Sequence, residues 1–451
     1  MRRKEELSMN RYHEPSREVP VAATADVIVC GGGPAGTAAA IASARAGAAT
    51  MLIEGHGCLG GIWTSGLLSW IIDAGNKPGI MREIVGRLDR SGARLQSLGE
   101  DFTYDPEAMK LVLEELCAEA GVIVRLHTSV VQAAVDSSGR LTHVLTESKS
   151  GREAWGAKLF VDATGDGDLA ALAGCGFEWG RPDSGQTQPM SLMALVTGID
   201  PESVAAFAMD GLHEEPKRLL LEEMERAGQR PSYAAPSLFH IRDRLFALMA
   251  NHEYGVSSIR ADEISAATVR ARQELHRLVN ELRKLGGVWK ELRLVQTAAQ
   301  IGVREGRRIH GRYRVSEHDL ADGRRHEDAV CRVRYGVDIH STDPKEGKSF
   351  GDDGKRSRPY DIPLRALIAA DVDGLLLAGR CISGDFVAHS SYRVTGNAVA
   401  LGQAAGTAAA LAALGGRLPH ELAWSEVGKA LERLEERGKT NADLSNAGQG
   451  Q

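Results

Sequence analysis

No Cys-x-x-Cys pair occurs among the six cysteines of this chain, at positions 30, 58, 117, 175, 331 and 381. That excludes a closely spaced redox dithiol and suits a reducing cytosol. Basic blocks are missing too. Lys+Arg is 54 against Asp+Glu 60, a net charge of −6, so phosphate-driven nucleic-acid binding is not expected. The leading stretch MRRKEELSMNRYHEPSREVP lacks the apolar run of a signal peptide. Aromatics are sparse at 5%, yet 43% hydrophobic and 25% charged residues exclude disorder, collagen and a disulfide scaffold. His310, His318, His326 and His340 show no metal-ligand spacing, so no metal is expected. The one long low-polarity run, Val394 to Gly416, is mostly Ala and Gly with Asn397, Gln403 and Thr407 inside it. Alanine supplies little transfer energy, so the run reads as a buried helix and not as a membrane span. A soluble, cytoplasmic protein follows, without nucleic-acid or membrane partners; a homo-oligomer stays open.

Glycine is abundant: 51 of 451 residues, against a usual share of ~7%. Its placement carries the chemistry. The segment ADVIVC, Ala25 to Cys30, is a short apolar strand; GGGPAG is a turn; Thr37 to Ala46 is a small-residue helix; AATMLIE, ending at Glu54, is a second buried strand. That is a βαβ unit, and Gly31-x-Gly33-x-x-Gly36 sits where a dinucleotide fingerprint must. Gly31 permits the tight turn, Gly33 lets backbone approach a pyrophosphate, and Gly36 lets the helix pack on the strand. Pro34 and Ala35 open a helix whose free N–H groups and partial positive charge face the phosphates. Glu54 stands where an acid accepts hydrogen bonds from ribose hydroxyls.

From Val122 to Thr164 the texture is β-rich, with Asp136-Ser-Ser-Gly139 as a hairpin turn. The expected fold is α/β: a Rossmann-like domain with a parallel sheet and a β-meander, plus an inserted mixed α+β substrate domain. Its expected divisions are a disordered leader 1–22, a discontinuous cofactor domain 23–185 and 365–420, an insertion 186–364, and a C-terminal helix with frayed tail 421–451. A long amphipathic helix is expected near Asp262–Leu285. A basic helical face carrying Arg304, Arg307 and Arg308 is read as solvated or salt-bridged.

GGGPAGTAAAIASARAGAATMLIE, the double glycine 60–61, DATGDGD, IGVREGRRI, AGRCIS and GQAAGTAAA together resemble the FAD-dependent oxidoreductase family, within the wider glutathione-reductase and fumarate-reductase flavoprotein class. The resemblance covers about residues 24–415 and implies FAD as cofactor. It implies that Gly60, Gly61 and Thr64 run beneath the flavin and its phosphates. Backbone near Ser129 and Val130 would hold the adenine, and Thr164 and Gly165 would pack beside the adenosine half. Gly379 and Arg380 of AGRCIS follow a strand at a ligand-binding edge. Asp385 is a candidate for the ribityl hydroxyls or a loop-surface acid. A helix starting at Thr395, Gly396 and Asn397 would aim its N-terminus at the flavin edge that becomes negative on reduction.

Arg393 lies just ahead of that helix and suits a clamp on a substrate carboxylate. His389 and Tyr392 are candidates for acid or base. The resemblance implies His-Glu-Ala soon after AGRCIS; this chain has Phe386-Val-Ala388 there and His389 next, so either His389 takes that role or the chemistry differs. Cys58 and Cys381 are read as inert small residues. No second dinucleotide fingerprint is present, so no dedicated NAD(P) domain is expected. The expected activity is two-electron transfer between flavin N5 and a small organic substrate, an anion among the candidates, with a separate electron acceptor. A flavin monooxygenase and a non-catalytic flavoprotein are the alternatives.

Overall fold

The apolar run that ends at Cys30 starts earlier than its hydrophobicity suggests. Strand β1 is Val21–Cys30, and its first four residues are exposed. They are held by the ladder to a neighbouring strand, with Val21 opposite Ala154, and a ladder leaves no mark in hydrophobicity. Residues 21 and 22 therefore belong to the sheet and not to a leader. The computed structural model describes residues 12–95, 101–209, 211, 213–343 and 350–447. Residues 12–20 hold no helix or strand, and the rest of the expected leader lies outside the described residues.

Helix α1 (Pro34–Arg45) and β2 (Thr50–Ile53) complete the βαβ unit. They are followed by β3 (Ile123–Arg125), β4 (Ser129–Val135), β5 (Leu141–Ser148) and β6 (Gly151–Asp162). The sheet order is β3-β2-β1-β6-β5-β4. Pairs among β3, β2, β1 and β6 are parallel; those among β6, β5 and β4 are antiparallel. The long β6 serves two neighbours on one side. Its first half pairs with β5, while Phe160–Asp162 pairs in parallel with the strand Leu375–Leu377. The sheet is thus mixed, with the meander leaving through β6. The hairpin turn forms because Asp136 Oδ1 accepts from the Ser138 and Arg140 amides, and Gly139 takes a left-handed φ of 84°.

A second core lies over a four-stranded antiparallel sheet of β7 (Met193–Thr197), β8 (Ser237–Arg242), β9 (Leu245–Met249) and β10 (Arg293–Thr297), ordered β8-β9-β7-β10. Helix α2 (Ala261–Leu285) buries Ala267, Ala271, Leu275, Leu278 and Leu282, the 3–4 spacing of one apolar stripe. This core draws on residues 190–301, joined by Leu67 and Trp70. Residues 309–364, expected with the insertion, instead place Ile309, Val315, Val333, Tyr360 and Ile362 in the first core.

The stretch around Gly302–Ile309 is not helical; only Arg308–Ile309 forms a short strand. Its arginines do not make a solvated face. Arg308 is fully buried and donates to Glu305 Oε1 at 2.6 Å and to the Gly180 and Gly384 carbonyls. Arg307 reaches the Asp166 carbonyl and Asp168.

Helix α3 (Phe386–Tyr392) leads into α4 (Thr395–Gly415), and α5 (Trp424–Ala447) covers residues 436–447 of the stretch expected to fray, the remainder lying outside the described residues. Helix α4 has the length and apolar character to cross a membrane, but most of it is buried inside the fold. Small residues bring it tightly onto α1. A Cβ at Gly402 would lie 2.0 Å from the Ala35 carbonyl oxygen, and one at Gly406 2.0 Å from that of Ala39. Backbone touches backbone, so any side chain there forces the helices apart. Gly406→Ala is expected to cost about 3 kcal/mol in urea unfolding. Gly33→Ala, whose added Cβ meets nothing within 4 Å, should stay within about 0.5 kcal/mol of the parent.

Candidate functional site

One cavity of about 550 Å³ begins at the glycine turn and continues to the second sheet. At its near end Gly31 adopts φ 97°, and a Cβ on Gly36 would sit 1.7 Å from the Gly31 carbonyl oxygen. The turn therefore closes directly on the first helical turn, and Gly36 works in that packing without lining the cavity. Gly31, Gly33, Pro34 and Ala35 do line it, and Gly33 faces open space. The first-turn amides of Ala35 and Gly36 precede any intrahelical acceptor.

Glu54 is buried at the end of β2, its Oε2 accepting from the Gly32 amide at 2.5 Å and its Oε1 from His56 at 2.7 Å. Both bonds aim the carboxylate at the cavity rim, where Ser129 and Val130 also lie. Gly61 lines the cavity with a would-be Cβ 3.0 Å from Gly33 Cα. Gly60 and Thr64 lie behind it. The Gly60 amide donates to the Gly32 carbonyl, and Thr64 Oγ1 to the Leu59 carbonyl at 2.5 Å, so both shape the loop.

The DATGDGD loop is organised by Asp162, which is fully buried. It accepts from the Thr164 amide and hydroxyl and from the Ala170 amide. Burial pushes its carboxyl up to about 6 against those bonds. Thr164 and Gly165 are thereby held on the cavity wall, with Gly379 and Arg380 beside them; Arg380 is fixed by Asp166 at 3.1 Å.

The C-terminal segment departs from expectation. Asp385 does not line the cavity: its Oδ1 caps α3 through the Ala388 amide, and its Oδ2 takes the Glu317 amide. His389 and Tyr392 point inward from α3 and are fully buried away from the cavity. Tyr392 donates to the Ile382 carbonyl. Neither ring nitrogen of His389 has a partner among the described residues; burial and the charges of Arg308, Arg393 and Arg380 hold it well below the ordinary range, as neutral imidazole. Of the helix start, Thr395 lines the cavity. Gly396 instead packs on the Ile72 and Asp73 carbonyls, donating its amide to Ile72, and Asn397 is fully buried behind it, near Cys331. Cys58 and Cys381 are free thiols outside the cavity lining. Among the described residues no group of three or more His, Cys, Asp or Glu has metal-binding geometry.

The far half of the cavity sets Arg393 and Arg304 among residues that sequence reading passed over. Arg393 lines it, donating through Nη2 to Asp338 Oδ2 at 3.1 Å, to the Asp338 carbonyl and to Gln188. His340 Nε2 stands 3.5 Å from the same Asp338 oxygen. Asp338 and His340 sit two apart at the strand Ile339–His340, so both face one side; the D-x-H alternation in YGVDIH was the available signal. Arg304, Tyr233, Tyr335 and Lys217 complete the polar lining. Trp70, stacked on Phe239 at 5.6 Å, joins Met193 and Met249 as the apolar lining.

Burial pushes the Asp338 carboxyl up, but His340, Arg393 and Arg304 outweigh it and hold it below the ordinary range. Its contribution is therefore complete above about pH 4, the unfolded value, and is lost as pH falls further. Removing it strands buried cations: Asp338→Ala should cost about 3 kcal/mol at pH 7 in urea unfolding, with the gap to wild type closing in acid. A loss below about 1 kcal/mol would contradict this buried pairing.

No curated protein matches the sequence significantly. Solved structures of similar fold include a geranylgeranyl bacteriochlorophyll reductase-like protein from Thermoplasma acidophilum, 15% identical over 94% of this chain and 87% of that one, with a TM-score of 0.48. Another is the p-nitrophenol 4-monooxygenase of Pseudomonas putida, 12% identical over 95% of each chain, TM-score 0.45. The sequence profile of the FAD dependent oxidoreductases matches residues 26–431, most of the chain, and the chain belongs to that family.

Proposed function

We propose that this enzyme transfers two electrons between FAD and a small organic substrate seated in the far half of the cavity, with a separate acceptor closing the cycle. The observation that carries the reading is the continuity of one cavity from the glycine turn to the Asp338–His340 pair. FAD is the cofactor of the family, and the residues present fit it. Gly33 leaves room for a pyrophosphate, the first-turn amides of α1 supply donors, and Glu54 stands at the ribose position. The return of Leu375–Leu377 and α4 to the glycine turn fits the glutathione-reductase and fumarate-reductase class and equally the wider FAD dependent oxidoreductase family. Polar side chains beyond the turn support substrate turnover over a purely electron-carrying role.

When bound, FAD supplies the two-electron acceptor or donor. The accompanying proton needs a group on the substrate side. His340 suits that task. Burial and Arg304 lower it to about 4, against the pull of Asp338, so the ring is neutral at pH 7. With Nε2–H directed at Asp338, Nδ1 carries the lone pair and has no partner among the described residues. Asp338 sets the tautomer and holds Arg393, which keeps the far wall in place.

The purified protein should be yellow and release FAD on acid precipitation. Gly33→Val should weaken FAD retention at least tenfold in titration; a colourless protein that takes up no FAD overturns the proposal. His340→Gln should slow anaerobic flavin reduction by substrate about 100-fold with little change in substrate affinity. Flavin that substrate never bleaches without oxygen, but whose reoxidation hydroxylates it, would favour the monooxygenase alternative.

A further inference from the structure

The two arginines of the far chamber differ in one respect. Arg393 has a carboxylate, Asp338, at 3.1 Å. Arg304 has no ion-pair partner among the described residues, although it lines the same cavity. Its Nη1 is used internally, donating to the Pro189 carbonyl at 2.6 Å and to Ser191 Oγ at 2.9 Å. Its Nη2 meets only the Met249 sulfur, at 3.8 Å, and its Nε has no acceptor among the described residues. The Nε–Nη2 edge, the side of a guanidinium that receives a carboxylate through two parallel bonds, is therefore open. Burial and the charge of Arg393 lower the guanidinium to about 10, which leaves it charged at neutral pH.

Charge counting around the chamber leaves this cation over. Asp338 serves Arg393, Lys217 is paired with Glu214 at 2.8 Å, and His340 is neutral. Arg304 is half-buried, and a guanidinium partly withdrawn from water without an anion is less favourable than a paired one; proteins pair such charges or leave them for a ligand. Beyond Tyr233, Tyr335 and the Ser191 hydroxyl that Arg304 already uses, the chamber offers an apolar lining of Trp70 on Phe239, Met193, Met249 and Val303.

We infer that Arg304 anchors a carboxylate of the substrate, which is a small organic acid with an apolar or aromatic body. The inference rests on the reading of the far chamber as the substrate half. It differs from the clamp expected at Arg393, whose charge the protein already pairs.

The test uses benzoate, phenylacetate and 3-phenylpropionate beside their three amides, on FAD-loaded wild type, Arg304→Met and Arg304→Lys. Binding is read by perturbation of the bound-flavin absorbance and by the shift in Tm. At least one acid should bind wild type at submillimolar concentration and raise its Tm, with the matching amide at least tenfold weaker. Arg304→Met should keep its flavin and its ligand-free Tm while losing acid binding at least tenfold; Arg304→Lys should fall between. Equal binding of acids and amides overturns the inference. So does unchanged acid binding by Arg304→Met, or no binding of any acid to wild type. A lower ligand-free Tm in Arg304→Met, restored in Arg304→Lys, would make the residue purely structural and also overturns it. If the protein takes up no FAD, the proposed function fails, while the acid-over-amide preference is still read from Tm alone.

Discussion

Helices α1 and α4 meet through backbone atoms, with Gly402 over the Ala35 carbonyl and Gly406 over that of Ala39. Everything at the site depends on this approach. Helix α1 begins at the glycine turn, so pressing α4 onto it brings the C-terminal segment to the same place as the N-terminal one. Thr395, Arg393 and Gly379 can then share a cavity with Gly33 although more than three hundred residues separate them. Van der Waals repulsion is steep, so a single added methyl at these positions displaces a whole helix. The low side-chain bulk of both helices is therefore a geometric requirement of the site.

The same demand for close packing explains which C-terminal residues leave the cavity. Gly384 lies against the Tyr392 ring, Gly396 against two carbonyls, and Asp385 is used up capping α3. Polar groups inside this layer must satisfy one another or the backbone, and few of them remain for a ligand. His389 finds no partner among the described residues, and it stays neutral through burial together with the charges of Arg308, Arg393 and Arg380. Across the cavity the balance runs the other way: one carboxylate, Asp338, faces two guanidinium groups and an imidazole. The chamber is built to hold positive charge, and the open edge of Arg304 is where that charge is unspent.

The dinucleotide turn was legible because its physics is local. Strand, glycine spacing, helix and terminal acid lie within one βαβ unit, and the structure places Gly31, Gly33, Ala35 and Glu54 together on the cavity. The meander was legible from alternating apolar residues and an Asp-Ser-Ser-Gly turn. Arg304 and Arg308 were not, since a basic run looks alike whether it faces water or a buried carbonyl. Asp338 and His340 were missed for a related reason. Their strand is two residues long, and it takes its direction from its partner Phe350–Gly351 rather than from its own pattern.

Chain composition and spacing alone thus point to the βαβ unit with its glycine turn and terminal acid, and to one sheet built from both ends of the chain. Those features follow from steric rules between near neighbours. Which arginine is paired, which histidine is sealed off and which acid holds the pair depend on contacts between segments such as 188, 304, 338 and 393. Electrostatic energy varies with distance and burial, and neither quantity exists until the chain has folded.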